Sequence, residues 1–426
     1  MSLKQIAQRF ISSTFVFISF MCSSGITLAH KNELTLAEAE QIAVLNAPEI
    51  QSLYAQSQSL AEKSVAEGQL PDPKLIAGII NVPTNTLSFT QDDMTMIGFG
   101  LQQAFPPGQT LTFKSLQTKA LSDVQLKKIE EQKISILRSV RQAWLDLYYW
   151  SHTIHILETN QKLYKELLQA TESEYSTNKG SQSDILQVQL EMSRLQDQIT
   201  QANQQEKIAR TQLSRWVGEH AERYLSSSFS LWATPPSLEL LQNRLEAHPI
   251  LTADVASIEA ARFDVAAARE QCKPGWMLDV SYGVRQGHFT DGSDRTDMLT
   301  ANATIDLPLF TKNRQSRQLK ASAYELQAMQ YDRQVHYKNL LEDLNTRYAI
   351  WQSLSQREAI YEGQLTAQAK QNSKVALLAY QNGIGNLTTV LRAYSNELAI
   401  YLEEVQIKME RAKARTALLY YEGVPE

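Results

Sequence analysis

The stretch "YSTNKGSQSDILQVQLE" occupies residues 175–191, and a close relative of it, "YQNGIGNLTTVLRAYSNEL", occupies residues 380–398. Tyr175 and Tyr380, Gly180 and Gly385, and Leu186 and Leu391 are each separated by 205 positions. Both copies place a glycine break between two segments that otherwise read as long helices. No proline occurs between Pro107 and Pro235 or between Pro308 and Pro425. Glycine in those spans is confined to Gly108, Gly180 and Gly218, then Gly363, Gly383, Gly385 and Gly423. Long runs of Gln, Leu, Ala, Glu and Lys without breakers favour helix. One such helix, from about Thr112 to Thr177, would be roughly 100 Å long at about 1.5 Å per residue. A rod of that length has to lie against similar rods, and the seams are visible. Ile185, Val188, Met192, Leu195, Ile199 and Ala202 alternate three- and four-residue spacings. So do Leu137, Val140, Trp144 and Leu147, and again Leu391, Tyr394, Leu398, Tyr401 and Val405. This is coiled-coil spacing. An ordinary helical-bundle core accounts for any one of these seams equally well.

The prolines gather around two shorter regions, Pro71 to Pro107 and Pro274 to Pro308. In "WMLDVSYGVR", Trp276, Leu278, Val280, Tyr282 and Val284 alternate with Met277, Asp279, Ser281, Gly283 and Arg285. "LTANATIDL", from Leu299, alternates in the same way, and the polar loop "QGHFTDGSDRTD" lies between them. Period-two patterning marks strands with one apolar and one polar face. The first half has a weaker counterpart in "KLIAGIINV" and "MTMIGFGLQQAF".

Further anchors reveal a tandem duplication. Pro48 pairs with Pro249 and Pro73 with Pro274 at an offset of 201, and Pro106 with Pro308 at 202. The expected division is a first repeat over residues 30–234, with a strand hairpin at about 74–106, a helical hairpin at about 110–218 and its tip at 175–184. The second repeat covers 235–426, with a strand hairpin at about 275–309, a helical hairpin at about 312–420 and its tip at 380–389. The unit is too long for solenoid repeats.

Lys4 and Arg9, followed by "FISSTFVFISF" and the small-residue site "ITLA", read as a signal peptide over residues 1–29. The apolar run is about half the roughly 20 residues needed to span a bilayer. Cys22 raises lipidation, but the bulky Met21 before it argues against that. Cleavage after Ala29 leaves Cys272 alone, without a disulfide partner. The net charge is −5, from 41 Lys+Arg and 46 Asp+Glu, so no basic field points to nucleic acid.

Four strands with an outward apolar face cannot close on themselves, and open edges are not tolerated in lipid. A transmembrane barrel needs at least about eight strands; three copies of this chain supply twelve, enough for a wet lumen. Trp276 and Phe105, at strand ends beside the prolines, suit an aromatic girdle or a strand-end core.

With the repeated tips, the proline-framed strand pairs and the Tyr-x-x-Gly break on view, the sequence resembles the TolC-type outer-membrane efflux family over nearly its whole mature length. "LPDPKL", "NVP" and "DDMTMIGFGLQQAFPPGQTLTFK" are most similar to the heavy-metal (CzcC/CusC-like) branch. Gln109 stands where that branch usually has Lys. The resemblance implies a mixed α/β membrane protein in which each protomer gives four strands to a trimeric 12-stranded outer-membrane β-barrel continuing into a long periplasmic α-helical barrel. It implies the outer membrane of a Gram-negative bacterium as location. The implied partners are two further copies in a homotrimer, outer-membrane lipid, a periplasmic adaptor and an inner-membrane pump of the resistance-nodulation-division (RND) type. No cofactor is implied. The implied function is export of heavy-metal cations, or of organic solutes and drugs through the same architecture.

In that family closed tips are held partly by bonds between the two helical hairpins. The matching residues are Asp184 and Tyr380, expected to form a charge-assisted phenol–carboxylate bond whose release lets the inner coil unwind. Asp184 also suits a helix N-terminus. Thr389 and Arg392 stand where some members carry pore aspartates, and Gly385 where an arginine often assists the lock. An arginine ring would repel cations. Tyr175, Gly180, Gly383 and Gly385 mark the tip turns and the adaptor-docking surface. His152 and His155, three apart on a helix, have metal-ligand spacing but also suit a helix face, with no cysteine or carboxylate to complete a set. Met94, Met96 and Met298 are soft-ligand candidates or plain packing residues. No phosphate loop, nucleophile elbow, zinc-protease motif or dinucleotide fingerprint is present, so no enzyme is expected. The competing readings are a periplasmic adaptor, which should carry one hairpin rather than two equivalent halves, and a secreted coiled-coil scaffold.

Overall fold

A computed structural model describes residues 33–178, 180–226 and 232–422. The expected signal peptide and Cys22 lie outside these residues. Among the described residues the chain is predominantly helical, with two small sheets. A short strand β1 (Glu33–Leu34) leads into α1 (Leu36–Leu45) and α2 (Pro48–Glu67), then strands β2 (Lys74–Ile80) and β3 (Met96–Phe105). Helix α3 (Thr110–Ser176) runs out for 67 residues and α4 (Gln182–Val217) runs back. Strand β4 (Tyr224–Leu225) pairs in parallel with β1. The second half repeats the plan: α5 (Leu238–Arg244), α6 (Pro249–Glu270), β5 (Trp276–Arg285), β6 (Met298–Ile305) and α7 (Gln315–Ile360). One π turn (Tyr361–Leu365) separates α7 from α8 (Thr366–Gln381), and α9 (Leu387–Glu422) returns.

Strands β2, β3, β5 and β6 form one antiparallel sheet in that order, so the two halves join at β3 and β5. Register fixes which residues share a face. Leu101 is opposite Val280 and Val280 opposite Ala301; Phe99, Tyr282 and Leu299 form the next row on the same side. That side is apolar throughout except for Gln103. It is also uncovered, with Leu75 74% and Leu299 74% exposed. The other side carries Gln102 opposite Asp279 and Asp279 opposite Asn302, with Ser281 opposite Thr300. Glycines 78, 98, 100 and 283 also lie on this polar face. Met96 lies across Gly283 and Ile80 across Gly98, where a side chain would collide with them. Apolar residues lying flat on the polar face are the reason the alternation of the first strand pair is blurred in the sequence. Phe105 and Trp276 stack at the helix-side end of the sheet, with ring centroids 3.9 Å apart.

Among the described residues the helices pack around three apolar cores. One centres on Trp144, Leu145 and Leu147 where α1, α3, α4 and α9 meet. A second lies towards the tips, where Leu157, Tyr164 and Leu167 of α3 pack on Val188 and Leu195 of α4 and on Leu391 and Leu398 of α9. The third joins α5, α6 and α7 to the end of α9 through Leu241, Leu344 and Leu418. Among the described residues no helix is long and apolar enough to cross a membrane.

Candidate functional site

The two helical turns are built alike, residue for residue. At the first, Asn178 takes a positive φ of 62° and its N–H bonds to Tyr175 O at 3.0 Å; Gly180 N–H reaches back to Glu174 O at 3.2 Å. At the second, Gly383 (φ 73°) bonds to Tyr380 O at 2.9 Å, and Gly385 to Ala379 O at 3.0 Å. A Cβ on Gly180 would lie 3.2 Å from Tyr175 N, and one on Gly385 3.1 Å from Tyr380 N. The chain folds back beneath the end of its own helix there, and that close approach is what the glycine of the repeated Tyr–Gly pair permits.

The returning helices are capped at equivalent positions by different chemistry. Ser181 Oγ accepts from Asp184 N–H at 3.2 Å, while the Asp184 carboxylate accepts from Ser181 N–H at 3.0 Å and from its hydroxyl at 2.8 Å. This reciprocal box satisfies free amides at the start of α4. In the second tip Asn386 Oδ1 accepts from Thr389 N–H at 2.9 Å and from the Thr389 hydroxyl at 2.7 Å. Asp184 and Thr389 therefore both serve helix starts.

The expected bond between Tyr380 and Asp184 is replaced by another. Tyr380 donates its hydroxyl to Glu174 Oε2 at 2.6 Å, linking the second tip to the end of α3. Asp184 is near enough to act on the phenol electrostatically, but its Oδ2 serves the cap, whereas Glu174 has its carboxylate free on the adjoining helix end. Burial, with the Glu174 bond second, pushes the Tyr380 pKa up to about 12. The sequence does contain the signal for this outcome: Ser-x-x-Asp before an apolar-periodic run is a capping box. The repeat does not single out Glu174, because its counterpart 205 positions on is Ala379.

The two tips differ in environment. Tyr175 is 47% exposed while Tyr380 is half-buried, and Leu186 is 58% exposed where Leu391 is buried against the first hairpin. They also differ in sign. Over residues 158–191 hairpin one carries Glu158, Glu166, Glu172, Glu174, Asp184 and Glu191 against Lys162, Lys165 and Lys179, a net negative tip. Over the equivalent residues 363–396 hairpin two carries Lys370, Lys374 and Arg392 and no acidic residue. Arg392 is exposed, one turn along α9 from Thr389.

Among the described residues no group of three or more His, Cys, Asp or Glu side chains could hold a metal ion. The His152 and His155 rings are 6.5 Å apart, and burial first, then His155 and Lys408, holds His152 below the ordinary imidazole range. Met96 is buried over Gly283, Met298 partly buried and Met94 exposed. Cys272 is a free thiol.

Residues 240–423 match the model of a protein family described as Outer membrane efflux protein. No curated protein matches the chain with significance. Among solved structures, the outer membrane protein VceC from Vibrio cholerae has a TM-score of 0.75 at 18% identity, over 92% of this chain and 97% of its own. CusC gives a TM-score of 0.76 at 16% identity, over 92% of each chain. The CmeC outer membrane channel of Campylobacter jejuni gives 0.74 at 13% identity, over 91% of this chain and 85% of its own. The second repeat thus carries the sequence pattern of the outer membrane efflux proteins, the described chain has the fold of these channels, and the likeness to the TolC-type family raised by its repeated tips holds.

Proposed function

We propose that the chain is one subunit of a trimeric outer-membrane efflux channel. Three four-stranded sheets close a twelve-stranded barrel, and the long helices extend its lumen into the periplasm. The observation that carries this reading is the sheet: one face apolar and uncovered, the other polar, and β2 and β6 left as unpaired edges. Such a sheet is stable in lipid only when its edges are paired, and pairing β6 of one copy with β2 of the next satisfies all of them. The protein is a conduit and not an enzyme; it takes its substrate from an inner-membrane RND pump through a periplasmic adaptor. The helical tips form its periplasmic gate. Tyr380 and Glu174 hold the two hairpins of one copy together, Asp184 and Thr389 fix the helix starts beside them, and Arg392 lines the approach. The turns at Tyr175, Gly180, Gly383 and Gly385 present the adaptor-docking surface.

For the substrate, the branch-like segments "LPDPKL" and "QQAFPPGQ" support heavy-metal cations. Arg392 favours the second reading, organic solutes, because three exposed guanidinium groups around a narrow entrance repel cations.

Fractionation tests the channel. Recovery from the outer membrane as a detergent-solubilised trimer that conducts in planar bilayers is expected; a soluble monomer would overturn it. Sensitivity of a deletion strain, ion by ion and against a drug panel, separates the two substrate classes.

A further inference from the structure

The internal repeat exposes one difference between hairpins that are otherwise matched. Helix α3 is continuous from Thr110 to Ser176. Its counterpart 205 positions on, from Gln315 to Gln381, is interrupted at Tyr361–Leu365, where Thr366 N–H bonds to Tyr361 O five residues back. The equivalent residues 156–160 of α3 are regular α-helix. A single π turn widens the helix and shifts the direction of the helix beyond it, and such turns concentrate at functional positions.

Three observations describe how this turn is held. Only Tyr361 and Leu365 are partly buried, while Glu362, Gly363 and Gln364 are exposed, so apolar packing covers one side of it at most. Gly363 stands at its centre, and a methyl group added there would meet open space, so no steric demand explains the glycine. What holds the turn is polar and comes from α9. Arg411 Nε meets Glu358 Oε2 at 2.6 Å just before it, and Lys408 Nζ meets Glu362 at 2.8 Å within it and Glu404 at 2.9 Å. The Thr366 hydroxyl donates to Glu404 Oε2 at 2.6 Å just after it. Beyond the turn, α8 leads directly to Tyr380 and its bond with Glu174 of the unbroken hairpin.

We propose that residues 361–365 are the hinge of the gate, at which α8 changes its course relative to α7 and carries Tyr380 to and from Glu174. The first hairpin, lacking such a turn, is the fixed side. This rests on the channel reading given above, since it names the moving part of that channel's entrance.

Hydrogen exchange on the detergent-solubilised full-length protein gives one test. Amides 362–366 should exchange about tenfold or more faster than amides 157–161, as a locally opening segment does. A second test places spin labels at Glu172 and Lys374, both exposed, in a Cys272→Ser background. Wild-type protein should give two distance populations. Gly363→Ala, which favours regular helix by about fivefold, should shift them towards one and lower the opening frequency in planar bilayers. Equal exchange in the two segments, or one unchanged distance with and without Gly363→Ala, would overturn the hinge. A protein that conducts normally but shows those results loses only the hinge. A protein that never conducts loses the channel reading, and the exchange contrast then decides on the hinge alone.

Discussion

At the tip, a phenol and a carboxylate link the two hairpins beside their shared apolar core. The Tyr380 hydroxyl donates to Glu174, and its pKa is raised to about 12 by burial and by that bond. A tyrosine raised above its ordinary value of about 10 contributes its full stabilisation below that value and loses it as pH rises through the folded pKa. The closed tip should therefore be indifferent to Tyr380 titration from about pH 5 to pH 9 and loosen between about pH 10 and pH 12. Opening frequency recorded across that range checks this, and Tyr380→Phe should remove the alkaline rise. At neutral pH the same substitution deletes a charge-assisted bond at a half-exposed site. A loss of about 1 kcal/mol, or roughly fivefold more frequent opening, is expected. Asp184→Ala should behave differently. It removes a helix cap and costs about 1 kcal/mol locally, so hydrogen exchange should accelerate in the first turn of α4 while opening frequency stays near wild type. Tyr380 was legible in the sequence because the repeat marks it. Its partner was not, because a carboxylate within reach of two duties goes to the local one, and only the backbone geometry at Ser181 reveals that choice.

Among the elements, the long helices were the easiest to read and their interruption the hardest. Absence of Pro and Gly predicts a helix from about Thr112 to Thr177, and α3 spans Thr110–Ser176. The seam residues Val188, Leu195, Ile199 and Ala202 are buried, as the three–four spacing requires. Strand β5 alternates along its whole length, whereas β2 and β3 do so only weakly, because Ile80 and Met96 lie over glycines on the polar face. The π turn left no such trace. Gly363 is an isolated glycine in a helical pattern, and one extra residue in a turn barely disturbs a period read over many turns. At the tips, Asn178 and Gly383 occupy the same left-handed position. Asparagine tolerates that conformation far better than most residues. Gly383→Asn should thus leave the second hairpin near wild-type stability, while Gly383→Val should destabilise it by at least about 1 kcal/mol. Limited proteolysis at the tip reads the difference.

For the whole molecule, the sheet is where the proposed channel makes its strictest demands, because its two faces are of opposite character. Val280 and Ser281 are adjacent in β5 and point to opposite faces, Val280 among Leu101 and Ala301, Ser281 beside Gly100 and Thr300. In water the two positions would differ little, since neither is buried in the single chain. In a barrel they differ sharply. A charge on the lipid face near the bilayer midplane costs about 2–4 kcal/mol, while one in the lumen stays hydrated. Because a trimer repeats the substitution in every copy, the penalty applies three times to one assembly. Val280→Arg should therefore sharply reduce the folded, heat-modifiable trimer recovered from the outer membrane. Ser281→Arg should assemble at near wild-type levels and reveal itself instead by lower conductance for cations. Equal yields for the two variants would show that the apolar face does not meet lipid, and the barrel would have to be abandoned for an arrangement in which another protein covers that face.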